Sequence, residues 1–283
     1  MGTIASRAEE LLGTAVVATT PVAGGDICTA TRLRLSDGTS ALVKTRAHAP
    51  ADFFPSEARG LSWLAEARGV HVPAVLAAEA DCLILSWVET GRPSVEAAEH
   101  LGRALAVTHR VGAASFGAES DGYIGTLPLP NRTAPTWPEF YATRRVLPYL
   151  KLGRDRGSVS AEDAVAVEAV VRRITDLAGP EEPPARLHGD LWSGNVLWGL
   201  DGRAWLVDPA AYGGHRETDL AMLALFGLPQ LSRVIAAYED EAPLADGWED
   251  RVALHQLFPL LVHAALFGGG YGARAGEAAR SLL

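Results

Sequence analysis

The chain has 283 residues, of which 48% are hydrophobic and 21% charged, with a formal net charge of −9. This composition excludes a disordered or fibrous protein, and two cysteines exclude a disulfide scaffold or a cysteine zinc site. Because the chain is acidic and has no basic stretch, we expect no nucleic-acid partner. Its apolar runs are shorter than the roughly 18 residues of a membrane span, so we expect a cytoplasmic protein with no membrane partner.

The first part of the chain has the pattern of a β-rich unit. Alternating apolar residues, separated by turns rich in Gly and Asp, predict strands over residues 15–20, 28–35, 40–46, 74–79 and 82–88. Apolar residues at helical spacing predict one helix between the third and fourth strands, over Ser56–Ala67. The polar segment Glu89–Pro93, with its Gly and Pro, is expected to be a hinge.

Helical patterns dominate after the hinge. They cover Val95–Val111, a helix opened by the cap at Thr136, Ala161–Ala178, and most of the chain from Arg216 to Leu283. The segment 112–135 has little periodicity and many Gly, Pro and Asn, so we expect a binding loop or lid. The fold class is therefore α+β, with a small β-rich lobe over residues 1–88 and a larger helical lobe over residues 89–283.

The strongest chemical signal lies between His188 and Asp208. Two apolar runs flank Asp201-Gly202, a strong signal for a hairpin turn. A two-residue turn there would place Asn195 directly opposite Asp208, on the same face of the hairpin. An amide oxygen and a carboxylate at that separation can share a Mg²⁺ ion together with phosphate oxygens.

Asp190 lies on the loop that enters this hairpin, between Gly189 and Gly194. A carboxylate beside a metal–phosphate site can accept the proton of an attacking hydroxyl, which is the base role in phosphoryl transfer. Asp and Asn also occupy turns for purely structural reasons. The combination of Asp190, Asn195 and Asp208 around one hairpin favours the catalytic interpretation.

These motifs resemble a known family. His-Gly-Asp-x-x-x-x-Asn, followed by Asp208, resembles the protein-kinase-like fold of aminoglycoside phosphotransferases and small-molecule kinases. The longer strings Leu-His-Gly-Asp-Leu-Trp-Ser-Gly-Asn, Val-Asp-Pro-Ala and the segment from Tyr212 to Met222 resemble the fructosamine kinase (ketosamine 3-kinase) family. The resemblance covers most of the chain and implies a two-lobed kinase that uses ATP and Mg²⁺.

The resemblance also implies a nucleotide site in the small lobe. Lys44 should bind the α- and β-phosphates and pair with Glu57, with Glu66 as a competing partner. Only two of the 25 basic residues are lysines, which makes a lysine in an apolar strand notable. The Gly24-Gly25 turn should place backbone N–H groups over the phosphates. The segment Ser86, Trp87 and Val88 should meet the adenine through backbone groups.

The acceptor is expected beside the loop that carries Asp190, residues 188–195, which we call the catalytic loop. Trp192 stands two residues from the proposed base and either stacks on a sugar or packs in the core. The loop 112–135 contains groups able to stack on a sugar or hydrogen-bond to it: Phe116, Asp121, Tyr123 and Asn131. We expect this loop to close over the acceptor rather than over ATP.

Other polar residues are expected to support the site. By resemblance, Asp219 should brace the catalytic loop near His188, because a buried carboxylate needs partners. His215 and Arg216 either contact phosphate or cap a helix. His109 and His263 lie on apolar helical faces and are expected to be core residues.

The sequence thus predicts an ATP-dependent kinase that phosphorylates the sugar 3-hydroxyl of a ketosamine and so leads to deglycation. The alternatives are a kinase of another small alcohol or amine, such as an aminoglycoside or choline, and a non-catalytic nucleotide-binding regulator. The last is disfavoured because Lys44, Asp190, Asn195 and Asp208 are all present. The physiological sugar and the oligomeric state do not follow from the sequence.

Overall fold

A computed structural model describes residues 3–23 and 27–283. The small lobe is a five-stranded antiparallel sheet in the order β1-β2-β3-β5-β4. Its strands are β1 (Val16–Val22), β2 (Thr29–Leu35), β3 (Ser40–Thr45), β4 (Val75–Ala78) and β5 (Cys82–Ser86). All five predicted strands are confirmed. Strand β5 is buried along almost its whole length, which explains its continuous apolar run.

Two helices pack on this sheet. Helix α1 (Ile4–Leu12) begins at the Thr3 cap and ends at Gly13, whose φ of 65° is left-handed. Helix α2 (Phe53–Glu66) begins three residues earlier than the pattern predicts, because Pro55 is tolerated in the first helical turn. Its buried face, which includes Leu61 and Leu64, turns away from solvent.

The large lobe is mainly helical. Its helices are α3 (Val95–Val111), α4 (Trp137–Phe140), α5 (Leu147–Asp155), α6 (Ala161–Arg172), α7 (Ile174–Leu177), α8 (Glu217–Leu225), α9 (Leu231–Glu241), α10 (Trp248–Phe267) and α11 (Tyr271–Ser281). A π-helical turn joins α4 to α5. The single helix predicted over 161–178 is broken at Arg173. No helix in the described ranges is long and apolar enough to cross a membrane.

The central helix α10 contains a proline, Pro259, which cannot donate the usual hydrogen bond to the carbonyl of His255. The buried hydroxyl of Tyr141 donates to that carbonyl at 3.0 Å and to the carbonyl of Leu254 at 2.7 Å. The π-helical turn that carries Tyr141 is thereby fixed against the core of the large lobe.

The large lobe also contains three two-stranded sheets. They pair β6 (Gly122–Ile124) with β7 (Leu127–Leu129), β8 (Ala185–Leu187) with β11 (Tyr212–Gly214), and β9 (Val196–Trp198) with β10 (Ala204–Leu206). The predicted hinge is tied to the last of these, because Gly91 N donates to the carbonyl of Trp198 at 2.6 Å. The β9–β10 hairpin therefore joins the interlobe connection to the residues singled out for chemistry.

Candidate active site

A cavity of about 1040 Å³ lies between the lobes. From the small lobe it is lined by Lys44, Glu57 and residues 86–88, and from the large lobe by residues that include Asp190, Trp192, Asn195 and Asp208. The fold thus gathers most of the predicted site into one cleft. The predicted Gly24-Gly25 turn lies outside the described residues.

Lys44 is the central cation of the cleft. It stands on β3, and its Nζ donates to both carboxylate oxygens of Glu57, at 2.6 and 2.8 Å, and to Asp208 Oδ1 at 2.9 Å. Burial alone would lower the pKa of Lys44, but the two carboxylates outweigh it and hold the pKa above its usual range. The predicted pairing of Lys44 with Glu57 is confirmed, whereas the competitor Glu66 is exposed.

Strand β5 runs directly into the interlobe connection. Ser86, Trp87 and Val88 all line the cavity, as expected for an adenine-binding segment. Ser86 Oγ accepts a hydrogen bond from Ala74 N at 2.9 Å, and the guanidinium of Arg32 lies 4.4 Å from the centre of the Trp87 ring. These contacts fix the segment from both sides. Its role in binding adenine stays a prediction.

The register predicted for the β9–β10 hairpin is wrong by one residue. Its loop has three residues, because Gly199 N donates to the carbonyl of Arg203 at 2.7 Å and Gly202 takes a left-handed φ of 77°. Asn195 therefore pairs with Val207 rather than Asp208. Asp208 follows the ladder with a φ of 55°, a backbone geometry that Asp tolerates better than most residues, and still lines the cavity with Asn195.

Asp190 and Asn195 are directly linked. The amide nitrogen of Asn195 donates to the backbone carbonyl of Asp190 at 2.8 Å and to its Oδ2 at 3.2 Å. These bonds assign the side-chain nitrogen to Asp190 and leave the amide oxygen available for another partner. The preceding Gly189 has a φ of 83°, and a Cβ there would lie 2.1 Å from the carbonyl oxygen of Ala210. Only glycine fits where this loop passes the segment after Asp208.

The electrostatic environment of Asp190 is unusual for a carboxylate. Burial, reinforced by the negative charge of Asp208, raises the pKa of Asp190 to about 7, although the bond from Asn195 opposes the shift. A carboxyl with a pKa near neutral pH can take up a proton during a reaction at that pH. This property suits the predicted base.

Asp219, on α8, braces the catalytic loop as predicted. Its carboxylate accepts hydrogen bonds from His188 N at 2.8 Å and Gly189 N at 3.0 Å. Burial alone would raise its pKa, but its hydrogen bonds, first among them the one from His109, hold the pKa of Asp219 below its ordinary value. His188 itself contacts the carbonyl of Val207 at 2.9 Å and so ties the loop to the strand end before Asp208.

His109 is buried, as expected, and belongs to this support. Its Nε2 lies 3.2 Å from Asp219 Oδ2, and its Nδ1 lies 2.9 Å from the hydroxyl of Tyr238. The same carboxylate oxygen also accepts from His188 N. A chain of hydrogen bonds therefore runs from α9 through α3 and α8 to the catalytic loop.

Trp192 stands at one end of a cluster of aromatic residues. Its indole is half-buried, lies over Gly194 and meets the ring of Phe226 edge-on at 5.9 Å. His263 stands 4.9 Å from Phe226 and also lines the cavity, as does the exposed Phe267. The expectation that His263 is a core residue is therefore wrong. Its apolar helical spacing concealed its position, because α10 borders both the core and the cleft.

His263 has one ring nitrogen available. Its Nδ1 lies 2.7 Å from the carbonyl of Pro259 and must carry a proton to bond there. Burial lowers the pKa of His263. In the neutral ring the remaining nitrogen, Nε2, is a hydrogen-bond acceptor.

The segment 112–135 is more ordered than predicted. Its centre forms the β6–β7 hairpin, and its two ends pair through Phe116 and Ala134. Asp121 is exposed and does not appear among the described residues that line the cavity. Its Oδ1 accepts from Asn131 N at 2.7 Å, so the predicted sugar contact of Asp121 is not supported. Asn131 lines the cavity, whereas Phe116 packs in the core.

Tyr123 lines the cavity, but its ring also packs on the small lobe, 5.2 Å from the ring of Phe53. The hairpin therefore also contacts the small lobe. That segment 112–135 closes over the acceptor rather than over ATP stays a prediction.

The open question about His215 and Arg216 is resolved in favour of a structural role. His215 Nδ1 accepts from Glu217 N at 3.2 Å, at the start of α8. Arg216 forms two hydrogen bonds of 2.7 Å with the carboxylate of Glu182. Neither residue is among the described residues that line the cavity.

Comparison with known proteins gives consistent matches. The sequence profile described as Fructosamine kinase matches residues 1–283. A probable ketoamine kinase of Thermus thermophilus is 40% identical over 252 residues, covering 89% of this chain and 88% of that protein. A crystal structure named as a candidate fructosamine-3-kinase of Thermobifida fusca is 49% identical, with a TM-score of 0.94 over 99% of this chain and 98% of that one. A macrolide 2′-phosphotransferase, at 20% identity and a TM-score of 0.66 over 98% and 97% of the chains, shares the fold.

Proposed function

Because this chain belongs to the fructosamine kinase family, we propose that it transfers the γ-phosphoryl group of ATP to the 3-hydroxyl of a ketosamine. The observation that carries the proposal is the convergence of Lys44, Asp190, Asn195 and Asp208 on one cleft, with Glu57 holding Lys44. The names of the relatives, a ketoamine kinase and a candidate fructosamine-3-kinase, support the choice of acceptor.

The donor set fits a phosphate chain with Mg²⁺. Lys44 is a buried cation at the wall of the cavity. Asp208 is half-exposed to the cleft and uses one oxygen for Lys44, and Asn195 retains its amide oxygen. Carboxylate and amide oxygens are the ligands that Mg²⁺ prefers. When bound, Mg²⁺ would neutralise charge on the phosphate oxygens, and Asn195 and Asp208 would hold it.

Asp190 would orient the acceptor and take its proton. The bond from Asn195 Nδ2 to Oδ2 fixes the carboxylate, and Oδ1 is left to face a hydroxyl. As the hydroxyl oxygen attacks the γ-phosphorus in line, its proton passes to Asp190 and the β–γ bridging oxygen leaves with ADP. Asp219 holds the backbone of the loop still during this transfer.

The acceptor would lie against the aromatic side of the cavity. The indole of Trp192 offers an apolar face next to the base, and His263 offers a neutral acceptor nitrogen for a sugar hydroxyl or for the amine of the ketosamine. Family resemblance implies that the 3-phosphorylated adduct then releases its amine. Both cysteines, Cys28 and Cys82, are free thiols, in agreement with the proposed cytoplasmic setting.

The test is turnover on purified protein with ribulose-lysine and fructose-lysine as acceptors, and with an aminoglycoside and choline as comparison acceptors. We expect ADP release that depends on a ketosamine, and a phosphorylated sugar in the product. The matched control is Asp190→Asn, which should remove turnover on every acceptor. Faster turnover on the aminoglycoside or on choline would overturn the acceptor assignment, and ATP binding without turnover on any of them would favour a regulator.

A further inference from the structure

The β6–β7 hairpin belongs to the large lobe but contacts the small lobe along β6 and at its turn. The ring of Tyr123 packs against Phe53 at 5.2 Å, with an angle of 57° between the rings. Gly122 approaches α2 so closely that a Cβ there would lie 3.2 Å from Ser56 Oγ. At the turn, Gly125 has a φ of 58°, and a Cβ would lie 2.9 Å from Leu266 and 3.1 Å from Ile27. Strand β6 and the turn are therefore wedged between the lobes.

The base of the hairpin is held by a buried cation. Arg145 is 0% exposed and lies among the rings of Phe140, Tyr212 and Phe258. Its Nη2 donates to Asn131 Oδ1 at 2.6 Å, and its Nη1 donates to the carbonyl of Pro130. No carboxylate among the described residues forms an ion pair with it. Burying a charged group without hydrogen-bond partners is costly, so Arg145 must keep its bonds to these oxygens.

A second contact fixes the other side of the base. The hydroxyl of Tyr149, on α5, donates to the carbonyl of Pro128 at 2.7 Å. Asn131 in turn donates to the carbonyl of Ser120 at 3.1 Å, across the hairpin. Both arms of the hairpin are therefore pinned to the helical core, so a contact made by β6 can bear on the small lobe.

Strand β6 packs on the face of α2 that carries Glu57. Phe53 and Glu57 are four residues apart, so their side chains are neighbours on the helix surface. Glu57 is the residue that holds Lys44. Displacing Phe53 would therefore move Glu57 relative to β3. Lys44, the proposed phosphate-binding cation, would move with Glu57.

We propose that the β6–β7 hairpin is a fixed strut between the lobes, and that Tyr123 is a positioning residue for nucleotide binding, acting through Phe53 and Glu57 on Lys44. The inference rests on the nucleotide site of the proposed function. Tyr123 exerts its effect through the geometry of the ion pair, and its hydroxyl forms no hydrogen bond within the described ranges. The ring alone is what the strut requires.

The experiment measures the Kd of Mg²⁺–ADP by calorimetry on the full chain, with no ketosamine present. Tyr123→Ala and the bulkier Tyr123→Leu should each raise the Kd about fivefold, the size expected for loss of one aromatic pair. Tyr123→Phe should restore the wild-type value. The matched control is Tyr271→Ala, which removes an aromatic ring from α11, outside the described cavity lining, and should not change the Kd.

A double-mutant cycle with Glu57→Gln separates positioning from direct contact. In the Glu57→Gln background, Tyr123→Ala should no longer change the Kd, because the residue through which it acts has already been altered. An undiminished fivefold effect in that background would overturn the proposal, since Tyr123 would then contact the nucleotide itself. An unchanged Kd in Tyr123→Ala and Tyr123→Leu, with both proteins folded by their melting curves, would overturn it equally.

The two proposals can fail separately. A wild-type protein that binds Mg²⁺–ADP but phosphorylates no ketosamine would remove the proposed acceptor and leave the strut in place. Normal turnover on a ketosamine, combined with a nucleotide Kd that does not change in the Tyr123 variants, would support the proposed acceptor and remove the strut.

Discussion

The catalytic loop, residues 188–195, and the β6–β7 hairpin line the same cavity, but opposite charges hold them in place. The loop is braced by a buried carboxylate, Asp219, which accepts two backbone hydrogen bonds. The hairpin is braced by a buried cation, Arg145, which donates to a side-chain oxygen and a carbonyl. In each case one buried charge from a helical segment fixes a short segment that lacks a core of its own.

The two regions differ in what the bracing provides. In the loop, the braced residue Asp190 is the proposed base, and its environment raises its pKa to about 7. In the hairpin, the braced residues make contacts between the lobes and touch an ion pair only through α2. Changes at Asp190 should therefore act on the chemical step, and changes in the hairpin should act on nucleotide binding.

The largest effect is expected in the loop. Asp190→Asn should lower kcat by about 10²–10⁴-fold, the range for loss of a general base, and leave the nucleotide Kd nearly unchanged.

In the small lobe, Lys44→Met should raise the nucleotide Kd strongly, because it removes the buried cation next to Glu57 and Asp208. Calorimetry and steady-state kinetics separate the two variants. Equal losses of nucleotide affinity would show that the division of roles is wrong.

The pH dependence should report the same carboxylate. A base must be deprotonated to act, so kcat/KM should rise with pH and level off above about 7, the pKa of Asp190. A flat profile between pH 5 and pH 8, with chemistry rate-limiting, would contradict this assignment.

The free energy of unfolding should fall as pH rises, whereas kcat/KM should increase. A carboxyl with a pKa of about 7 in the folded protein, against an ordinary 3.8, binds its proton more tightly when folded. This proton is lost from the folded protein as pH rises, so the contribution of Asp190 to the free energy of unfolding falls between those two values. Asp190→Asn should therefore melt above the wild type at pH 8 and approach it near pH 4. A lower melting temperature at pH 8 would contradict the burial of the charge.

Compared with Asp190→Asn, the hairpin variant Arg145→Met should change kcat less and the free energy of unfolding more. The variant leaves Asn131 Oδ1 and the carbonyl of Pro130 without their donor, which should lower the free energy of unfolding by about 2 kcal/mol. Through the strut it should raise the KM for ATP several-fold with little change in kcat. Denaturant unfolding and kinetics provide the two measurements.

Arg144→Met is the matched control for this prediction. Arg144 is the adjacent, partly exposed arginine, and its described bond is to the carbonyl of Arg132. Its loss should change stability by well under 1 kcal/mol. Similar losses in both variants would mean that burial of Arg145 has no special role. Rescue by Arg145→Lys would also count against the assignment, because an ammonium cannot reproduce the planar fork.

The difference between the regions also explains what could be predicted from the sequence. Asp190, Asn195 and Asp208 lie close in the chain, so their spacing predicted that they would meet, and they line one cavity although the three-residue loop shifted the register by one. Lys44 and Glu57 were paired correctly because their spacing follows that of a known fold. Local spacing and family resemblance sufficed for both.

The hairpin contacts could not be predicted in the same way. Tyr123 meets Phe53, and Asn131 meets Arg145, through tertiary contacts that no short motif encodes. Lone Gly and Pro residues in segment 112–135 indicated a loop, whereas β6 and β7 have only three residues each, too few for a visible alternation. The position of His263 was missed because a helix that borders core and cleft has an almost uniformly apolar pattern.

The smallest effect, and the sharpest test of where the acceptor lies, is expected from Trp192. Its indole packs edge-on against Phe226 and lies beside the base, so Trp192→Ala should raise the KM for a ketosamine about two- to tenfold, the magnitude of one aromatic contact. The KM for ATP should change less, since Lys44 and residues 86–88 lie on the small-lobe side of the cavity. Trp205→Ala is the matched control, because that indole lies on β10 of the hairpin that follows the loop, bonds to Asp201 and is absent from the described cavity lining. It should leave the ratio of the two KM values unchanged. Equal increases in both KM values for Trp192→Ala, together with a lower melting temperature, would show that Trp192 only packs the loop and that the acceptor binds elsewhere in the cleft.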